Sequence, residues 1–245
     1  MLGDTCLDEY FYGTCDRLNP EAPVPILNIT RRESKLGMAA NVRDNLEAFG
    51  CAVDFMSGST RSTKQRYIDE RSKQHIVRVD NDIISEPCNP HLESLQLSQY
   101  SAIVISDYNK GYMTYSNIVA LRDLYSGPIF LDTKKHDLAK FEGFIIKINS
   151  HEFNQLTSKP SKNTNLIVTH GDKGAVWGDK HFNAPKVEVV DVCGAGDTFL
   201  AALAYQYLLT GMIDIATEFA IKCSTITVQH RGVYSLTQSD IDIII

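Results

Sequence analysis

Seven consecutive residues, Asp191-Val192-Cys193-Gly194-Ala195-Gly196-Asp197, put two carboxylates on either side of three positions with almost no side chain. A strand-like run, Val189-Val190, leads into this turn. An amphipathic stretch leads out of it, with Phe199, Leu200, Leu203, Ala204, Tyr207 and Leu208 on one face and Gly211 as terminator. Gly194, Ala195 and Gly196 let a ligand approach their N–H groups closely. At a helix N-terminus such groups favour an anion. Phosphoryl transfer needs this environment, because its catalysis is largely positioning and charge stabilisation. Asp197, at the helix start, is placed to accept a proton from an attacking hydroxyl. The plain alternative is a Gly-rich turn in which Asp197 only stabilises the first helical turn.

Such a loop must be held by a scaffold, and the chain carries the pattern of one. The runs Ala102–Ile105, Pro128–Leu131, Phe144–Ile148 and Leu166–Thr169 are short, apolar and end in polar residues or glycine. They predict parallel strands buried on both faces. Ligands of such sheets lie beyond the carboxyl ends of the strands. Asp107, Asp132, Asn149 and Gly171 are therefore expected to face one crevice. Helices are predicted over Asn41–Phe49, Asp197–Leu209 and Asp214–Val228. Val24–Ile29 and Lys64–Val79 alternate in polarity and predict an antiparallel flap with a polar tip at 69–74. Only Met1-Leu2 precede Gly3-Asp4, about three residues short of an ordinary strand, so either a stunted first strand or a late start of the chain is expected.

The 245 residues carry a formal net charge of −6, with 43% hydrophobic and 22% charged residues. That suits one α/β domain and argues against a nucleic-acid binder. The six cysteines are scattered without a C-x-x-C pair, so neither a disulfide framework nor a zinc site is expected. No signal-peptide pattern or membrane-length apolar run is visible, and a cytoplasmic protein without membrane partners is expected.

Asp191–Asp197 resembles the signature of the PfkB (ribokinase-like) carbohydrate kinases, an Asp, two variable residues, then Gly-Ala-Gly-Asp. Asn149-Ser150-His151-Glu152 resembles the family's N-x-x-E motif, although an Asn-x-x-Glu capping box reads the same way. Val168–Gly174 resembles the nucleotide-side V-T-x-G-x-x-G segment, although a β-turn would also account for it. The resemblance covers most of the chain. It implies a three-layer α/β sandwich, 1–245, with a mostly parallel sheet and flap segments at about 10–32 and 62–80. It implies Asp197 as catalytic base and Gly194, Ala195 and Gly196 as the anion hole. It places ATP near Lys134, Asn149, Thr169, Gly171, Gly174 and Ser224, and Mg²⁺ near Glu152, held through water. In some members a monovalent cation such as K⁺ lies near the position of Asp191.

Within the family, four segments are similar to the D-glycero-D-manno-heptose 7-phosphate kinases: Gly3–Tyr10, Arg17–Pro25, Ser106–Gly111 and Asp132–Lys134. The implied acceptor is a sugar or sugar phosphate. Asp4, Asp8 and Asn41 offer acceptors for hydroxyls, Gly37 allows close approach, and Asp107 lies at the same crevice. Lys64, Arg66 and Arg78 suit a phosphate, although a solvated strand face explains them as well. Met38 stands where the family has a second Gly, which narrows the sugar side. Only Ser59–Thr63 join two segments that the family separates by roughly 25 to 30 more residues, a feasible loop. Three readings follow: heptose 7-phosphate phosphorylation at the anomeric hydroxyl, phosphorylation of another sugar, and sugar or nucleotide binding without turnover. A dinucleotide-binding fold is disfavoured, because no G-x-G-x-x-G follows an early strand. An exposed flap strand suggests a homodimer.

Overall fold

The computed structural model describes residues 1–88 and 95–244. Its body is a seven-stranded sheet in the order β1-β6-β7-β8-β9-β10-β11. The strands are β1 (Leu2–Gly3), β6 (Ile103–Asp107), β7 (Ile129–Thr133), β8 (Ile145–Asn149), β9 (Asn165–Thr169), β10 (Ala175–Trp177) and β11 (Lys180–Phe182). The first five run parallel, and β10 and β11 close one edge antiparallel. The four apolar runs form the centre because each strand buries both faces. Val104, Phe130 and Ile145 enter one core, while Ile103, Ile105, Ile129, Leu131, Ile146 and Ile148 enter the other. That alternation is the period-two geometry of a strand.

Helices cover each face. On the first lie α1 (Ala39–Ala48), α4 (Ala195–Thr210), α5 (Ile213–Thr227) and α6 (Gln238–Ile244). On the other lie α2 (Tyr115–Leu124) and α3 (Ser150–Asn154). This is the expected three-layer α/β arrangement. Helix α4 is apolar almost all round, with Phe199 to Ala204 buried, which marks a central helix rather than a surface one. Strand β1 has two residues and pairs with β6, matching the short first strand expected. Between α3 and β9 the chain runs through 155–164 without a further helix, close to the minimum for a parallel crossover.

The flap is a second sheet in the order β3-β2-β4-β5, from β2 (Thr5–Leu18), β3 (Pro25–Met38), β4 (Ser62–Asp69) and β5 (His75–Asn81). Its polar tip falls at 70–74, as expected. The β2–β3 and β4–β5 hairpins are antiparallel as expected, but β2 and β4 pair in parallel between them, which corrects the expectation of a wholly antiparallel flap. The short loop after α1 returns the chain to the same end of β2 from which that strand starts.

Candidate active site

Gly194 precedes α4 with φ 78, and a Cβ there would lie 2.8 Å from Asn41 Nδ2. Glycine meets both the left-handed backbone and the close packing. Among the described residues, the N–H groups of Gly196 and Asp197 have no intramolecular acceptor, the usual state of a first helical turn. Ala195 and Gly196, at the positive end of this 16-residue helix, line a cavity of about 530 Å³. Thr169, Gly171, Gly174 and Ser224 line it, and Val192, Phe199, Ile221 and Val228 give it an apolar wall. Its size and mixed lining suit a nucleotide. The Ser224 hydroxyl is within hydrogen-bond reach of the Ala195 and Ala220 carbonyls and fastens α5 to the start of α4.

Asp197 is buried beside this loop. Its carboxylate accepts from Asn41 Nδ2 at 3.1 Å and from Tyr108 Oη at 3.0 Å. Burial pushes its pKa up to about 6. Asp132 adds to the rise, while Asn41, Lys147 and Tyr108 oppose it. A carboxylate so placed is still mostly ionised at neutral pH, yet more basic than a solvated one.

Around it stand paired charges. Lys147 on β8 and Asp132 on β7 form a buried ion pair at 2.8 Å, and a Cβ on Gly196 would lie 2.9 Å from Lys147 Nζ. Lys134 pairs with Glu152 and lies 5.2 Å from the Tyr108 ring centroid. Asn149 and Glu152 form the capping box of α3, with bonds of 2.9 and 2.8 Å. The capping-box reading of that motif is observed: one Glu152 oxygen caps the helix, and the other meets Lys134. Asp132 Oδ1 is buried without a hydrogen-bond partner.

Several residues expected to meet the sugar are engaged internally. Asp4 accepts the N–H groups of Tyr108, Lys110 and Tyr112 at 2.8, 3.1 and 3.3 Å and so shapes the 108–112 loop. Asp107 is buried against Lys135 at 2.9 Å and accepts from Thr133. Asp8 and Arg66 form a buried ion pair. Gly37 makes room for it, because a Cβ there would lie 2.0 Å from Asp8 Oδ2. Asn41 is fully buried; besides Asp197 it meets Ser235 at 3.3 Å. These placements differ from the expectation of open sugar ligands: burial obliges each group to find a partner inside the protein. Lys64 sits 5.7 Å from the Tyr108 ring. Asp191 accepts from Cys193 N at 3.0 Å and Gly232 N at 2.8 Å. Partial burial would raise its pKa, but those donors hold it below the ordinary value.

Sequence reasoning did not assign roles to Tyr108 or Lys147. Lys147 had a signal, since a lysine inside Ile145-Ile146-Lys147-Ile148 must find a buried partner. Tyr108 had none beyond its place in the segment after β6.

Known proteins resemble this chain over most of its length. The model described as pfkB family carbohydrate kinase matches residues 120–240, which contain β7 to β11 and the loop at 191–197. Over those residues the chain is similar to the pfkB carbohydrate kinases. Members of this family are phosphotransferases with an alcohol group as acceptor. The chain is 30% identical to the bifunctional protein HldE of a Nitratiruptor species, covering 99% of this chain and 63% of that protein. It is 28% identical to the D-beta-D-heptose 7-phosphate kinase of Bordetella bronchiseptica, covering 98% of this chain and 94% of that one. The first alignment runs over 299 positions against 245 residues, so at least 54 positions are gaps in this chain, more than the one short loop explains. Among solved structures, phosphofructokinase-2 from Escherichia coli in complex with potassium matches with a TM-score of 0.77 at 14% identity. That match covers 100% of this chain and 97% of that one. Ribokinase from Thermotoga maritima gives 0.70 at 15% identity, covering 99% and 97%. At these identities they show this chain's fold alone. No helix among the described residues is long and apolar enough to cross a membrane.

Proposed function

We propose that this chain is an ATP-dependent kinase of a phosphorylated sugar, with heptose 7-phosphate as acceptor and heptose 1,7-bisphosphate as product. One observation carries the kinase reading: Asp197, a buried carboxylate with a pKa of about 6, stands at the unpaired N–H groups of α4, where a nucleotide-sized cavity opens. The heptose assignment draws on the N-terminal segments and on the heptose 7-phosphate kinase named among the relatives.

In this reading the cavity holds ATP with its phosphates toward Gly194–Asp197. The N–H groups of Gly196 and Asp197 and the ammonium of Lys147 face the transferring group and stabilise its charge. Asp197 accepts the proton of the acceptor hydroxyl. Mg²⁺ bound to the triphosphate would neutralise phosphate charge. The residues present fit it: the unpartnered Asp132 Oδ1 and the Glu152 carboxylate lie on neighbouring elements at this end of the sheet. No group of three or more metal-binding side chains exists among the described residues, as suits an ion held mainly by phosphate and water. Both oxygens of Asp191 accept backbone N–H groups, so K⁺ beside it would rest on carbonyls. The edge strands β3 and β5 expose Ile29, Val77 and Val79, which supports a homodimer through the flap. A nucleotide-dependent sugar kinase of this kind works in the cytoplasm, where ATP is available.

A second reading is sugar or nucleotide binding without turnover. It is favoured by the internal bonds that occupy Asp4, Asp8 and Asn41. The test is ADP release from ATP and Mg²⁺ with a panel of sugar phosphates and free sugars. The kinase reading expects ADP with a heptose 7-phosphate and its loss in Asp197→Asn with ATP binding retained. Saturable sugar binding with no ADP from any sugar would establish the second reading instead.

A further inference from the structure

A second cavity, of about 470 Å³, lies between the far part of the flap and the loops at 190–191 and 231–232. It shares no lining residue with the nucleotide cavity. Separate segments deliver cationic side chains to it: Arg31 from β3, Lys73 from the β4–β5 tip and Arg231 from the loop before α6, with the His75 ring beside them. Tyr10 and Tyr12 add ring faces. Arg31 is partly neutralised by Glu33 and Glu70 and lies 3.9 Å from the centroid of the Tyr12 ring. Among the described residues, Lys73 and Arg231 form no ion pair and no side-chain hydrogen bond. The carboxylates at the rim already have partners. Asp191 accepts two backbone N–H groups, and Glu70 accepts from Thr30 Oγ1 at 2.9 Å.

In a chain of net charge −6, Arg31, Lys73 and Arg231 are brought together from three segments and the last two have no counter-ion, a cluster that favours an anion among them. We propose that this cavity is a second anion site, which takes a phosphomonoester group. Arg231 presents a planar fork suited to two phosphate oxygens, and Lys73 a mobile point charge. Lys73 stands at the hairpin tip with φ 60, which aims the tip without a glycine.

Two sources share this ligand chemistry. One is the phosphorylated tail of the acceptor. Asp8, Tyr10 and Tyr12 lie on one face of β2, opposite Lys64, Arg66 and Ile68. Tyr12 is therefore about 13 Å along the strand from Asp8, a span that favours a long sugar phosphate over a short one. Tyr10 occupies the intermediate position, its hydroxyl accepting from Val233 N at 3.3 Å, and would have to turn aside. The other source is a separate small phosphorylated effector. The first source rests on the sugar-phosphate kinase reading; the anion site does not.

The test is calorimetric titration of the full chain with inorganic phosphate, the nucleotide crevice first filled with a non-hydrolysable ATP analogue and Mg²⁺. The Lys73→Ala/Arg231→Ala double variant should bind phosphate about tenfold more weakly than the unmodified chain, with analogue affinity unchanged. Equal phosphate affinity in the two proteins, or no saturable binding to the unmodified chain, overturns the proposal. If the analogue does not bind, the kinase reading fails. The phosphate comparison is then made without it and still decides the site. In steady-state kinetics, an acceptor KM raised for sugar phosphate but not for free sugar in the double variant identifies the acceptor tail. A phosphate effect on kcat at saturating acceptor, lost in the double variant, identifies an effector.

Discussion

The phenolic oxygen of Tyr108 donates a 3.0 Å hydrogen bond to Asp197 Oδ1, so the base is covered by a neighbour rather than left open. Tyr108 is itself held by its own N–H, which Asp4 Oδ2 accepts at 2.8 Å. Asp4 thus shapes the loop that covers the base. An incoming hydroxyl has to take the place of the phenol at the carboxylate. Because the Tyr108 bond lowers the Asp197 pKa, its loss should raise that pKa further above 6. Tyr108→Phe should shift the acidic limb of kcat/KM to higher pH, with a larger rate loss at about pH 6 than at about pH 8. An unshifted profile would show that the phenol does not tune the base.

Asp197→Asn should separate activity from stability. Loss of a general base costs about 10²- to 10⁴-fold in rate. The folded pKa of about 6 lies above the ordinary 3.8, so the folded chain holds this proton more tightly than the unfolded one. The associated stability is full below about pH 3.8 and is lost as pH rises through about 6. Above that, the buried ionised carboxylate destabilises by on the order of 3 kcal/mol. The neutral Asn should therefore raise the urea midpoint at about pH 7.5 and lose that advantage near pH 4. A variant less stable than the parent at both pH values would contradict the raised pKa.

The scaffold was legible where burial leaves a one-dimensional trace. Runs such as Ile103-Val104-Ile105 must be central strands, and Gly194-Ala195-Gly196 must allow a close approach. Partner choice left no such trace. Asp8 is the right residue type for a sugar hydroxyl, but which group meets it depends on Arg66, 58 residues away. Asp107 likewise reads as a crevice carboxylate until Lys135 is seen beside it. The parallel pairing of β4 with β2 is equally non-local, since alternation in each strand is the same for either direction. Asn149 and Glu152 could be read two ways because a capping box needs the same residues at the same spacing, and both of its bonds are present.

Met38 has φ 58 and ψ −127, a region that is strained for any side chain and costs about 1–3 kcal/mol. Its side chain is buried, which returns a similar amount. Met38→Gly should accordingly change stability by less than about 1 kcal/mol, since relief of strain offsets lost burial. Met38→Ala keeps the strain and loses the burial, and should cost about 2–4 kcal/mol. Chemical denaturation of the two variants checks the order. Glycine less stable than alanine would mean that the backbone at 38 is not strained. The glycine variant should also lower the acceptor KM if Met38 narrows the sugar side.

The Asp8–Arg66 pair joins β2 and β4 of the flap with its side chains 4% and 6% exposed, and the Arg66 guanidinium sits 5.1 Å from the Tyr10 ring centroid. Removing one partner leaves a buried charge without compensation. Asp8→Ala should destabilise the fold by about 3–5 kcal/mol, whereas adding Arg66→Met should recover most of that loss. A urea-unfolding double-mutant cycle measures the coupling. Additive losses would mean that the pair is hydrated and contributes little. Strong coupling would mean that Asp8 can reach a sugar hydroxyl only while a second carboxylate or the ligand's own anion takes over Arg66, which ties acceptor binding to the charge on the acceptor.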